Sequence, residues 1–259
     1  MDLGIKGRRA IVCASSRGLG RACAEALAAD GVDLVINGLD EERLERVAGE
    51  IAAAHSVKVT TVAADVSSHA GQDALLAACP EADILINNNA GPPLRDFREL
   101  SREDILAGVI QNMATPIELI QKVLDHMIAQ RFGRIVNITS ASVKMPIIGL
   151  DLSSGARAGL TAFMAGPARD IAKHNVTVNG VLPGMFDTDR LRGSIGKMAS
   201  LKDVSEEEMA DTRKSTVPAG RFGDPEEFGR LCAFLCSDKA GYITGQNFLI
   251  DGGLFNSSI

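Results

Sequence analysis

The chain has 259 residues, of which 46% are hydrophobic, 23% charged and 4% aromatic, with one Tyr and no Trp. A formal net charge of −6 without any long basic run excludes a nucleic-acid or anionic-membrane surface, and no stretch approaches the about 20 apolar residues of a membrane span. The start of the chain lacks the apolar core of a signal peptide, five cysteines form an odd number without metal-ligand spacing, and four His residues are scattered. Neither a disulfide framework nor a metal site is therefore expected, and a soluble, reducing, cytoplasmic setting is.

In chain order, "RRAIVCA" (8–14) reads as a short strand that runs into "SSRGLGRACAEALAADG" (15–31), a glycine-bearing turn opening an Ala-rich helix. "VDLVING" (32–38) is a strand, "DEERLERVAGEIAAAH" (40–55) a helix and "VKVTTVAAD" (57–65) a strand. A helix over 69–79 precedes "ADILINNNAG" (82–91), a buried strand ending in a polar loop. The pattern over 102–130 predicts one long helix, bent at Pro116. "FGRIVNITS" (132–140) is the next strand, 153–174 the next helix and "NVTVNGVLPG" (175–184) the strand after it. A helix over 225–236, whose Cys232 and Cys236 read as small buried hydrophobes, and a strand "QNFLID" (246–251) complete the pattern. The single tyrosine, Tyr242, precedes that last strand and reads as packing.

Strands alternating with helices of ten or more residues predict an α/β fold. The expected form is a single Rossmann-type doubly wound parallel sheet of about seven strands, with helices on both faces. No linker or repeat divides it, so one domain over 1–259 is expected. Residues 185–218 alone lack clear periodicity, which marks them as disordered or as a mobile lid over substrate. The acidic "SEEEM" within them also fits a solvated helix face.

Strand, glycine turn and helix together form the arrangement that sets a pyrophosphate against free backbone N–H groups. Here Gly18 and Gly20 follow the first strand, in "CASSRGLG". The spacing resembles the T-G-x-x-x-G-x-G of the short-chain dehydrogenase/reductase family, with Cys13 and Ala14 in the first two places. Asp65-Val66 resembles the family's adenine-contacting pair, and "INNNAG" its N-N-A-G, in a register that fits Asn87-Asn88 or Asn88-Asn89. "VNGVLPGMFDTD" resembles its N-x-x-x-P-G-x-x-x-T, and "GRFGDPEE" and "ITGQNFLIDGG" its closing segments. In this order together the motifs are specific, and they are most similar to the branch around 3-oxoacyl-(acyl-carrier-protein) reductases.

The resemblance implies a dinucleotide cofactor held by Ser15, Ser16, Arg17, Gly18, Leu19, Gly20, Asn37, Asp65, Val66, Asn88, Pro183, Gly184 and Thr188, with Thr188 at the nicotinamide carboxamide. A carboxylate closing the second strand would select NAD, but that strand ends in "INGLDEE" with no immediate acid. Arg17 can pair with a 2′-phosphate, so NADP is preferred. Asp40, Glu41 and Glu42 nearby leave NAD open.

The same resemblance implies carbonyl reduction by a Tyr proton donor, a Lys four residues on that lowers its pKa and holds the ribose, a Ser for the substrate oxygen and an Asn carrying a water relay. Asn112 and Ser140 match the last two. The family spacing then lands on Ser153 where Tyr belongs and on Arg157 where Lys belongs. An aliphatic hydroxyl is a weak acid, and losing a general acid costs about 10²–10⁴ in rate. Arg157 can still hold ribose hydroxyls, but its high pKa bars proton sharing. Lys144, Asp151 and Ser154 are minor candidates for a replacement role.

An oxidoreductase acting on a small C=O or C=N substrate with a non-standard proton donor is thus expected, C=N suiting the site because hydride transfer to an iminium needs no enzyme proton. The alternatives are a catalytically silent dinucleotide-binding regulatory or assembly protein, and a non-redox lyase or isomerase. Pairing of the helices over 102–130 and 153–173 is implied by the resemblance, so a homo-oligomer, tetramer or dimer, is expected.

Overall fold

The computed structural model describes residues 1–92 and 94–257. Seven strands form one sheet: β1 (Arg9–Val12), β2 (Asp33–Gly38), β3 (Val59–Ala63), β4 (Ile84–Asn87), β5 (Gly133–Ile138), β6 (Val176–Pro183) and β7 (Asn247–Ile250). Their spatial order is β3-β2-β1-β4-β5-β6-β7 and every pairing is parallel. The order reverses beside β1, which opens a crevice at the carboxyl ends of β1 and β4, where such sheets bind ligands.

Strand residues alternate between two cores. Ala10 and Val12, Leu34 and Ile36, Ile84 and Ile86 face one cluster under α1 (Gly18–Ala29), α2 (Glu41–His55) and α9 (Pro225–Leu235). Ile11, Val35, Leu85 and Ile135 face the other, under α3 (His69–Ala78), α5 (Thr115–Ala129) and α6 (Asp151–Ile171). Both faces of the sheet are buried, which is why its strands are almost wholly apolar. All five cysteines are buried and unpaired, Cys232 and Cys236 within the first core. Among the described residues no helix is long and apolar enough to cross a membrane, and no cluster of His, Cys, Asp or Glu is placed to hold a metal ion.

Three expectations are corrected. The helix over 102–130 is not one regular α-helix: α4 (Arg102–Val109) passes without a break through a π-type turn over Ile110–Ala114 into α5. Pro116 lies just after that turn and has no N–H to continue the ladder, so the irregularity falls immediately upstream of it. Second, 185–218 is helical where disorder was one of the two expectations, as α7 (Asp189–Lys202) and α8 (Glu206–Ser215). These helices rest on caps more than on an apolar stripe. Thr188 caps α7, a reciprocal Ser205–Glu208 box caps α8, and only Ile195, Ala199 and Met209 are buried between them. The acidic start of α8 is a solvated helix face. Third, Tyr242 is not packed: it is fully exposed, ahead of the amino end of β7 and so at the end of the sheet opposite the crevice.

Candidate active site

The glycine turn joins β1 to α1 and is braced from below. Ser15 is fully buried; its hydroxyl donates to the Val12 carbonyl at 2.7 Å and accepts from Asn37 N–H at 3.0 Å. The Asn37 side chain accepts from Ala14 N–H at 3.2 Å and gives both Nδ2 hydrogens to the Val62 and Ala64 carbonyls at 2.9 Å. It therefore shapes the turn and has no donor left for a ribose. Asn88 donates to the Ala14 carbonyl at 3.3 Å, while Asn87 is buried in β4 on Asn137 and Asn89 reaches Ser67. Asn88, common to both registers, is the asparagine at the turn.

Above these braces the turn is open. A Cβ at Gly20 would stand 2.3 Å from the Ala14 carbonyl oxygen, so only glycine lets the helix start this close to the strand. Gly18 has φ +57 and lies against Thr188. Arg17 is extended and exposed, and among the described residues no hydrogen bond or ion pair engages its side chain. Ser16 lies beside Gly38 at the end of β2, Leu19 packs on the first core, and Val66 is buried beside the exposed Asp65. Pro183 ends β6, and Gly184 follows against Asp251.

Ala14, in the place of the family's first glycine, has φ +46. A Cβ in this left-handed region costs about 1–2 kcal/mol. Ala14→Gly is expected to stabilise the fold by about 0.5–1 kcal/mol, after the entropy glycine gains in the unfolded chain, as read by chemical denaturation.

Beside the turn, the ends of β5 and α6 bring Ser140, Ser153 and Arg157 together. Ser140 follows β5, half-buried, its Oγ accepting from Ser142 N–H at 3.1 Å. Ser153 and Arg157 lie one turn apart on α6, at 4% and 7% exposure. Arg157 Nε donates to Ser153 Oγ at 3.0 Å, and Nη1 donates to the Ile138 and Thr139 carbonyls, both at 2.8 Å. The Arg157 head thus ties α6 to the end of β5. It also lines a small cavity with Asn87, Asn88, Asn89 and Asn112, the last held in the π-type turn with its Nδ2 3.4 Å from the Gly108 carbonyl. π-Type turns often mark functional sites.

The minor candidates divide. Ser154 Oγ is buried with no hydrogen-bond partner among the described residues. Asp151 is exposed in the first turn of α6. Lys144 is exposed, with Nζ 5.7 Å above the Phe255 ring, facing the end of the chain.

Burial, with a smaller push from Arg190, draws the Arg157 pKa down to about 10. The group stays cationic at neutral pH, and its charge is a penalty on the fold. With a folded pKa below the unfolded value, that penalty is full below about pH 10 and is relieved as pH rises through this value. Arg190 is a residue that motif spacing did not reveal. It lies in the first turn of α7, two residues after Thr188, with its guanidinium against Gly91 in the loop after β4.

A family model described as "Enoyl-(Acyl carrier protein) reductase" matches residues 13–255. A 3-oxoacyl-(acyl-carrier-protein) reductase of Aquifex aeolicus is 35% identical over 98% of this chain and 100% of its own. An NADPH-dependent reductase of Bacillus subtilis is 32% identical over 96% of this chain and 98% of its own. L-sorbose reductase from Gluconobacter frateurii, solved with NADPH and L-sorbose, superposes with a TM-score of 0.94 at 27% identity, covering 99% of this chain and 100% of its own. The chain belongs to the short-chain dehydrogenase/reductase family and is similar to its 3-oxoacyl-(acyl-carrier-protein) reductases.

Proposed function

We propose that the protein is an NADP-dependent oxidoreductase that transfers hydride to a small C=O or C=N substrate without a Tyr-type proton donor, and that C=N substrates suit it best. One observation carries this: Ser153 Oγ is buried and already accepts from Arg157 Nε at 3.0 Å. The pair that would deliver a proton in the family is here locked to itself and to the end of β5.

The residues present fit a dinucleotide. The glycine cradle admits no Cβ at position 20, and Arg17 offers an unengaged guanidinium at the turn. NADPH, when bound, would supply the hydride. Gly18 and Gly20 let the backbone approach the diphosphate, and Arg17 meets the 2′-phosphate. Asp65 and Val66 flank the adenine, Thr188 meets the carboxamide, and the Nη2 donors of Arg157 hold the ribose. Ser140 orients the substrate heteroatom, and Asn112 holds water in the cavity it shares with Arg157. An iminium becomes a neutral amine on accepting hydride, so no enzyme proton is needed. A ketone becomes an alkoxide, whose proton must then come from solvent.

Arg17→Ala is expected to weaken NADPH about tenfold and leave NADH unchanged in fluorescence titrations. An equal effect on both dinucleotides would remove the 2′-phosphate assignment. The function itself is tested by following NADPH and NADH consumption across ketones and cyclic imines. Tight binding with no turnover on any of them would favour the silent regulatory reading.

The same reading extends to assembly through α4 and α6. Ile105, Leu106, Val109 and Ile110, on and just after α4, and Phe163 on α6 are all exposed, more apolar surface than a lone helix pair keeps in water. A tetramer is expected by light scattering, and a monomer would contradict it. The five unpaired thiols support a reducing, cytoplasmic setting.

A further inference from the structure

The loop between β5 and α6 begins and ends in the site. Ser140 opens it, Ser153 lies just beyond its close, and Arg157 ties the two ends, donating to the Thr139 carbonyl at 2.8 Å and to Ser153 Oγ at 3.0 Å. The residues between therefore form a rim of the cleft. They stand at the carboxyl ends of the paired strands β4 and β5, the side on which parallel sheets of this kind bind ligands.

Contacts on two sides hold this rim. On one, Arg95 N–H, in the loop after β4, donates to the Gly149 carbonyl at 3.0 Å. A Cβ on Gly149, whose φ is +81, would stand 3.5 Å from Leu94 Cδ2, so Leu94 lies over that turn. On the other side, Lys144 Nζ stands 5.7 Å from the centre of the Phe255 ring. Phe255 is itself anchored, because the Asp251 carboxylate accepts from Gly253 N–H at 2.9 Å and from Phe255 N–H at 2.8 Å.

The rim held in this way is apolar. Ile148 is 98% exposed, Leu94 58% and Ile147 40%. Lys144 is the only charged residue between Thr139 and Leu150, and its ammonium is turned to Phe255. Arg95, next to Leu94, is engaged by Asp104 at 2.7 Å. Large aliphatic side chains kept in water on braced loops, with the charges beside them occupied, mark a surface that receives an apolar group. The rim starts and ends on site residues, so a group seated there is continuous with whatever fills the cleft.

We infer that Leu94, Ile147 and Ile148 receive an alkyl or aryl body that the substrate carries next to its C=N or C=O group. This rests on the reading of the site as a dinucleotide-dependent reductase, with the reacting group at Ser140. The preferred substrates are then hydrophobic imines or ketones, and burial of the apolar body fixes the reacting carbon relative to Ser140.

The test compares 2-methyl-1-pyrroline with 2-butyl-1-pyrroline, cyclic imines that share a reactive group and differ in alkyl length. NADPH oxidation gives kcat/KM for each, and calorimetry gives the affinity of each with and without NADP⁺. Wild type is expected to favour the butyl compound about 10- to 50-fold in both readouts, as three further methylenes leave water. Leu94→Ser combined with Ile148→Ser should cut that preference to within about threefold, while Ile148→Leu should keep it. Ile148 is almost wholly exposed, so Ile148→Ser alone keeps the fold and carries the test if the double variant does not. Equal treatment of the two compounds by wild type, or a preference that survives the serine changes, would overturn the inference. A surviving preference together with a smaller assembly of the serine variant by light scattering would assign the rim to a second copy of the chain instead. If NADPH binds and neither compound is reduced, the proposed function fails, and the two affinities still judge the rim.

Discussion

Replacing Ser153 with Tyr and Arg157 with Lys together is expected to raise ketone reduction by about 10²–10⁴-fold, the usual worth of a general acid. Ser153 and Arg157 lie one turn apart beside Ser140, so the new phenol and ammonium would stand in the relation the family uses, against a nucleotide site left intact. Ser153→Tyr alone should gain less, because a fixed guanidinium cannot share a proton. Reduction of a cyclic iminium should change little in the double variant, since its hydride step needs no acid. NADPH oxidation with a matched ketone and iminium reads both outcomes. If ketone turnover does not rise in a variant that still binds NADPH, a missing proton donor is not what limits this site.

Arg157→Met is expected to damage function far more than stability. Drawing the guanidinium pKa well below its ordinary value, to about 10, corresponds to a buried-charge penalty of about 3 kcal/mol. Its three hydrogen bonds, to Ser153 and to the Ile138 and Thr139 carbonyls, contribute about 1 kcal/mol each. These opposing contributions nearly cancel, so unfolding stability should move by less than about 2 kcal/mol. NADPH affinity should fall at least about tenfold as the ribose donors are lost. Denaturant unfolding and fluorescence titration of one preparation check both. Collapse of the fold with NADPH affinity retained in the surviving protein would make Arg157 a structural residue only.

Much of this site is legible in the chain because its parts are local. The glycine turn, its helix and the bracing strand are contiguous, and Ser140, Ser153 and Arg157 fall within one strand–loop–helix unit. The parallel sheet follows from apolar strands buried on both faces between helical stretches. What stayed hidden depends on contacts between distant segments. Asn37 is spent on the Val62 and Ala64 carbonyls, which no spacing within β2 reveals. Arg190 meets Gly91 from about a hundred residues away, and only its nearness to Thr188 hints at the cleft. Helices α7 and α8 escaped detection because so few of their residues are buried, and their capping signals lie outside the apolar pattern that periodicity reads.

The central claim is that a working dinucleotide site is joined here to a catalytic segment without its proton donor. Its most direct test is the rate of NADPH oxidation by the wild-type protein with a cyclic iminium and with the ketone of the same skeleton, across pH. The expected result is iminium reduction about 100-fold or more faster than ketone reduction, the difference matching the worth of the absent acid. Ketone reduction as fast as iminium reduction, falling off at high pH as a protein acid titrates, would contradict it.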